Sequence, residues 1–161
     1  MKELLDLART LICMSAVLWI LFCFIIGIGI MQNEDMEPCI MPGDIIIYYR
    51  LDKIPDIREI IVLKKNDTEY IGRVVASGGD KVEITEDSVL MVNDNIVYEE
   101  NILTGTPLYE GFLDYPVILG QDECFVLSER REGGEDSRYY GPVSLGDIQG
   151  TVISLYRGRV T

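Results

Sequence analysis

The chain opens with one long apolar run and then changes rhythm. From Leu11 to Met31 only Ser15 is polar, and Trp19, Phe22 and Phe24 lie within the run. Twenty-one residues rising about 1.5 Å each cover roughly 30 Å, the hydrocarbon thickness of a bilayer. A secretory leader has a shorter apolar core, about 7–15 residues, followed by a small-x-small site. Here Gly27-Ile28-Gly29 lies inside the run itself. The pattern predicts an uncleaved signal-anchor helix over 11–31, with 1–10 as its cytoplasmic flank and 32–161 as a domain beyond it. Lys2 and Arg9 precede the run, so the positive-inside rule places the N-terminus in the cytoplasm and the domain outside. Only four steps separate Met31 from Asp35, at most about 13–14 Å of extended chain. Asp35 is therefore expected close to the membrane surface.

Beyond the run the apolar positions come in short bursts broken by turn chemistry. They predict strands at 44–50, 58–64, 69–76, 81–84, 88–92, 96–98, 117–119, 123–128 and 147–156. Ile45-Ile46-Ile47 and Ile60-Ile61-Val62-Leu63 are unbroken, as expected of strands covered on both faces. Asn93-Asp94-Asn95 between Val92 and Ile96 predicts a tight hairpin, since Asn and Asp tolerate left-handed backbone. Residues 101–116, with Gly105, Pro107 and Gly111, predict a long connection. No later stretch keeps a helical period, so the expected fold is mainly β: a single transmembrane helix, then an all-β domain.

Composition narrows the chemistry. The chain of 161 residues carries a net charge of −13. Lys2 and Arg9 cancel Glu3 and Asp6 in the first 31 residues, so the excess lies in the domain. Such a surface repels phosphate backbones and argues against nucleic acid. There is no histidine, which removes Ser-His-Asp and Cys-His catalysis and any histidine-ligated metal. Of the four cysteines, Cys13 and Cys23 fall in the apolar run, and no Cys-x-x-Cys exists, so neither a metal nor a cofactor is expected. A Cys39–Cys124 disulfide is open to a domain outside the cytoplasm, with separate thiols the safer reading.

Three segments carry the candidate chemistry. Asp35-Met36-Glu37-Pro38-Cys39-Ile40-Met41-Pro42-Gly43-Asp44 resembles the nucleophile segment of type I signal peptidases, Ser-Met-x-Pro-Thr-x-x-x-Gly-Asp, with Asp35 at the serine and Cys39 at the threonine. Tyr70-Ile71-Gly72-Arg73-Val74-Val75-Ala76-Ser77-Gly78-Gly79-Asp80 resembles the general-base segment, Tyr-x-Lys-Arg-Val-x-Gly-x-Pro-Gly-Asp. Arg73 matches, and Gly72 stands at the lysine. The stretch from Ser128 to Val143 resembles Gly-Asp-Asn-Arg-x-x-Ser-x-Asp-Ser-Arg-x-x-Gly-x-Val. Arg131, Asp136, Ser137 and Arg138 match, and Gly134 stands where active members have a serine that contacts the lysine.

The resemblance implies a Ser-Lys dyad, in which burial frees a lysine amine to take the serine's proton. Asp35, Gly72 and Gly134 each remove one part of it. The expectation is therefore a pseudo-enzyme. Its relic substrate groove would be formed by Asp35, Met36, Pro38, Ile40, Gly72 and Gly134, and Asp35 would accept hydrogen bonds from backbone N–H groups of the former oxyanion hole. Asp for Ser together with Gly for Lys is similar to the SipA-type signal-peptidase-like proteins of Gram-positive pilus gene clusters. That resemblance implies a chaperone or scaffold in pilus assembly, with pilin subunits or the pilin-linking sortase as partners. The alternative is an active signal peptidase with an atypical mechanism. Lys64, Lys65 or Lys81 could then serve with Ser77, Ser128 or Cys39, or Asp35 could pair with Asp136.

Overall fold

The computed structural model describes residues 2–99, 102 and 104–158. Helix α1 (Lys2–Ile20) continues as a π-helical turn over Leu21–Ile25, and the chain then extends as β1 (Ile26–Ile30). No α1 side chain is buried. Lys2–Ile25 is long and apolar enough to cross a membrane. The expected helix over 11–31 is corrected at both ends: it begins at Lys2 and stops at Ile25. In Ile26-Gly27-Ile28-Gly29-Ile30 β-branched residues recur at a period of two and alternate with glycine, a poor helix former. Strand pairing wins: β1 runs antiparallel to β2 (Ile45–Tyr49), with Ile28 opposite Ile47. Gly27 is required there, because a Cβ on it would come within 2.1 Å of the Tyr48 ring. Asp35 thus lies ten residues beyond the helix rather than four, with a strand between them, so the short-tether expectation fails with the helix boundary.

The remaining strands follow the apolar bursts. They are β3 (Ile60–Lys65), β4 (Thr68–Ala76), β5 (Lys81–Ile84), β6 (Leu90–Val92), β7 (Asn95–Ile96), β8 (Val117–Ile118), β9 (Glu123–Leu127), β10 (Val143–Ser144) and β11 (Ile148–Tyr156). Asn93 and Asp94 take positive φ in the predicted hairpin. A seven-stranded sheet has the order β1-β2-β11-β3-β4-β9-β10, and a smaller one the order β7-β6-β5-β8. A one-turn helix, α2 (Ser137–Tyr140), lies within the third motif. The domain is mainly β, as the sequence predicts.

Alternation along β3 sends its side chains to two cores. Ile61 and Leu63 join Val74, Cys124, Val126 and Ile148 on one face. Val62 joins Met36, Ile40, Ile46 and Tyr48 on the other. The large sheet curls, so that Glu69 on β4 reaches within 3.9 Å of where a Cβ on Gly29 of β1 would sit. This near-closure brings the first and second motifs together. All four cysteines are free thiols, with Cys39 and Cys124 on opposite faces.

Candidate functional site

Asp35 sits in a turn held from below by its two apolar neighbours. Met36 and Ile40 are fully buried. They anchor the turn in the core and do not line an open surface, which corrects their place in the expected groove. Apolar side chains flanking a surface acid are the ones a core claims first. Gly72 and Gly134 are buried as well, whereas Pro38 is exposed and Asp35 half-buried.

The Asp35 carboxylate faces other acids. Burial raises its pKa above the ordinary aspartate value, as do the Glu135 and Asp136 carboxylates; the Glu135 backbone N–H and the Asn33 amide oppose the shift. Asn33 Nδ2 donates to Asp35 Oδ2 at 2.8 Å, and the Asp35 N–H donates to Asn33 Oδ1 at 3.2 Å. The Asp35 carbonyl accepts from the Arg130 N–H at 2.8 Å, tying the first motif to the third. The carboxylate therefore has donors in the Asn33 side-chain amide and the Glu135 backbone N–H, rather than in a pair of backbone N–H groups.

At Gly72 a Cβ would lie 2.4 Å from Val126 Cγ1. At Gly134 it would lie 2.1 Å from Ser128 Oγ and 2.6 Å from the Arg130 carbonyl oxygen. Both positions are filled by neighbours. Among the described residues no lysine bonds to a serine, to Cys39 or to Asp35. Lys64 pairs with Asp67 and Lys81 with Asp94, while Lys53 and Lys65 donate to the carbonyls of Ile148 and Pro142. Ser128 Oγ lies 2.8 Å from Asp136 Oδ2 and 2.9 Å from the Arg130 carbonyl oxygen, two acceptors for its single proton.

The matched residues of the third motif build a buried charge cluster. Arg138 is fully buried and donates through Nε to Asp136 Oδ1 at 2.9 Å and through Nη2 to Oδ2 at 2.7 Å. Its Nη1 reaches the Arg131 carbonyl at 2.7 Å, and its guanidinium lies 4.2 Å from the Tyr109 ring centre. Arg131, also buried, donates to Ser128 O, Thr106 Oγ1 and Glu99 Oε2. Ser137 Oγ accepts from the Val126 N–H at 3.0 Å. Arg73 pairs with Glu129, and its Nη2 lies 3.8 Å from Cys39 Sγ. Both Asp136 oxygens thus accept hydrogen bonds within this cluster.

The open space lies beside these residues. A groove of about 580 Å³ runs between Ile30–Asn33 and Asp67–Ile71, with Glu135 at its wall. Asn33, Glu69 and Glu135 are thus site residues that motif spacing did not indicate; the curl of the sheet brings Glu69 to β1, and the Arg130–Asp35 bond brings in the loop that carries Glu135.

Residues 4–156 match the family described as "Signal peptidase, peptidase S26". The chain belongs to this family. Among signal peptidase relatives, thylakoidal processing peptidase 1 of Arabidopsis thaliana is 30% identical over 141 residues, which cover 77% of this chain and 40% of that protein. The chain therefore spans two fifths of that relative's length. Signal peptidase IB of Staphylococcus aureus is 25% identical over 171 residues, 94% of this chain and 88% of the relative. The solved structure of a signal peptidase I from Enterococcus faecalis V583 superposes with a TM-score of 0.52 at 22% identity, covering 62% of this chain and 97% of the other. That likeness shows a shared signal-peptidase fold.

Proposed function

We propose that the chain is a membrane-anchored, non-catalytic member of the signal peptidase family that binds another secreted or membrane-bound protein. One observation carries the reading. Where the family's nucleophile would stand there is a carboxylate, and the position of the family's base has neither a side chain nor room for one, because Val126 occupies it. A carboxylate is a weak acyl nucleophile, and its negative charge opposes the oxyanion that acyl transfer must develop. Lys2–Ile25 anchors the chain with its N-terminus in the cytoplasm and the domain outside. The SipA-type resemblance of Asp35 and Gly72 supports a chaperone or scaffold role in surface pilus assembly, acting on pilin subunits or the pilin-linking sortase.

The second reading is an active peptidase of unusual mechanism, favoured by the relatives, which are named as processing and signal peptidases. Full-length protein in detergent, mixed with a secretory pre-protein, separates the two. The binding reading expects no cleavage. Cleavage that disappears in Asp35→Ala would establish the enzyme instead.

A further inference from the structure

The curled sheet is covered on one half of its outer face and bare on the other. At β3 and β9 the outer residues Ile61, Leu63 and Val126 are packed by Tyr140, Val143 and Leu145. Thr151 of β11 stands opposite both Ile61 and Tyr49, so the same face continues across β11 to β2 and β1. There Ile28, Ile30, Ile45, Ile47, Tyr49 and Tyr156 point outward, because Gly27, Gly29 and Tyr48 take the inner side. Ile28 is 56%, Ile30 60% and Tyr156 64% exposed. No charged residue occurs in β1, in β2 or in the part of β11 that pairs with β2 (151–156), although the chain has 27 acids. Uncovered sheet usually carries charge that prevents pairing, and a contiguous apolar patch of this kind marks a contact surface.

Position selects the occupant. β1 follows the π-helical turn directly, Ile26 is already extended, and the Arg50 N–H beyond β2 donates to the Ile25 carbonyl at 2.8 Å. The face therefore starts at the end of the helix and runs about 13 Å along β1 to Ile30. A headgroup layer takes up interfacial apolar surface to a depth of only ~5–10 Å, which leaves Ile30, Ile45 and Tyr156 beyond it. A second copy covers the whole length. With both helices in one bilayer, a two-fold axis along the membrane normal sets identical faces together, and aligned sheets pack about 10 Å apart through such side chains. Two chains of net charge −13 meet on this face without opposing carboxylates.

We propose that the bare face is a homodimer interface, in which two copies stack the outer sides of β1, β2 and β11. The inference rests on Lys2–Ile25 as a membrane anchor and is independent of which other protein the chain binds.

The test mixes donor- and acceptor-labelled copies of the full chain, tagged at the N-terminus, in vesicles of neutral lipid. Energy transfer is expected to stay above the level of randomly spread monomers as lipid is added. Ile28→Glu places a carboxylate from each copy in the contact and should weaken association at least about a hundredfold. Tyr156→Lys, on the far side of the face, carries the same expectation, while Ile118→Glu on β8 should change nothing. Protection of Cys124 from maleimide identifies the variants that have folded. Transfer at the random level in the parent, or undiminished in the folded face variants, overturns the interface. So does an equal loss in Ile118→Glu, which assigns the pairing to exposed apolar residues at large. Trp19 is the only tryptophan, so Trp19→Phe with Tyr156→Trp reports where the face lies. Quenching by brominated lipid well below that of Trp19 in the parent is expected; quenching as strong as that of Trp19 places the face in lipid and overturns the dimer.

Discussion

On the non-catalytic reading proposed above, placing a lysine at Gly72 and a serine at Gly134 should damage the domain rather than produce an enzyme. Gly72→Lys forces a Cβ to within 2.4 Å of Val126 Cγ1, a branched side chain that is fully buried between neighbouring strands. Overpacking of this kind costs about 1–3 kcal/mol. Gly134→Ser is worse placed. Its Cβ meets Ser128 Oγ at 2.1 Å and the Arg130 carbonyl oxygen at 2.6 Å, and the second contact is backbone that cannot rotate aside. Moving Ser128 also disturbs its bonds to Asp136, so a further ~2–3 kcal/mol is reasonable for a strained, partly unsatisfied buried group. Together the two changes should remove about 3–6 kcal/mol of a stability that for such domains totals about 5–15 kcal/mol. At roughly 2–4 °C per kcal/mol, the double variant should melt at least about 6 °C below the parent. The assay is thermal unfolding of the full chain in detergent, followed by loss of protease resistance. Adding Val126→Ala opens the space beside position 72 and should recover part of the loss from Gly72→Lys but none from Gly134→Ser. Parental stability of the Gly72→Lys, Gly134→Ser variant would refute the claim that neighbours have filled the dyad's space.

Three further outcomes can be measured. Arg138→Met leaves Asp136 buried without its counter-ion and should cost about 3–5 kcal/mol, whereas Arg130→Met breaks only the exposed pair with Glu34 and should cost at most about 1 kcal/mol; urea titration distinguishes them. Cys124 is 1% exposed, and burial followed by the nearby Glu123 pushes its thiol up to about 12, so a maleimide should label Cys39 in the folded chain and Cys124 only on unfolding. Asp35 has a folded pKa raised first by burial and then by Glu135, so the folded state holds its proton more tightly than the unfolded one. The resulting penalty is absent below the unfolded value near ~3.9, grows as pH rises through the folded pKa, and is constant above it. Asp35→Asn should therefore raise the melting temperature at pH 7, by an amount that shrinks toward pH 4; a variant less stable than the parent at pH 7 would contradict this.

The strands were legible because their signal is local. Each apolar burst beyond the helix became a strand within a few residues of its expected bounds, and the Asn93-Asp94 turn took the backbone its residues favour. The helix end was misread because composition cannot separate membrane helix from strand in an unbroken apolar run. What decides it is the Tyr48 ring over Gly27, a contact between residues far apart in sequence. The groove was misplaced for the same reason. Spacing marked Met36 and Ile40 as neighbours of the key residue but not the direction of their side chains, and only the pairing of β1 with β2 turns them into the core. Glu69 reaches the site by the curl of the sheet and Glu135 by the loop after β9, which the Arg130 N–H ties to the Asp35 carbonyl; no stretch of sequence records either.

The two kinds of motif residue have separate physical roles. Asp136, Arg138 and Arg131 have their charges matched inside the domain, and through the loop carbonyls they fix the course of the chain from Ser128 to Ser137. Each member of such a cluster is held in place by the others, because breaking one leaves a buried charge unpaired in low dielectric. Its match to the family is thus fully explained by folding and says nothing about peptide cleavage. On the proposed reading the chemistry differs at Asp35, Gly72 and Gly134, and at the two glycines a Cβ would meet Val126 or Ser128. A family match of this breadth accordingly supports the signal-peptidase fold, while the activity has to be argued from those three positions, which offer a carboxylate among carboxylates and no amine.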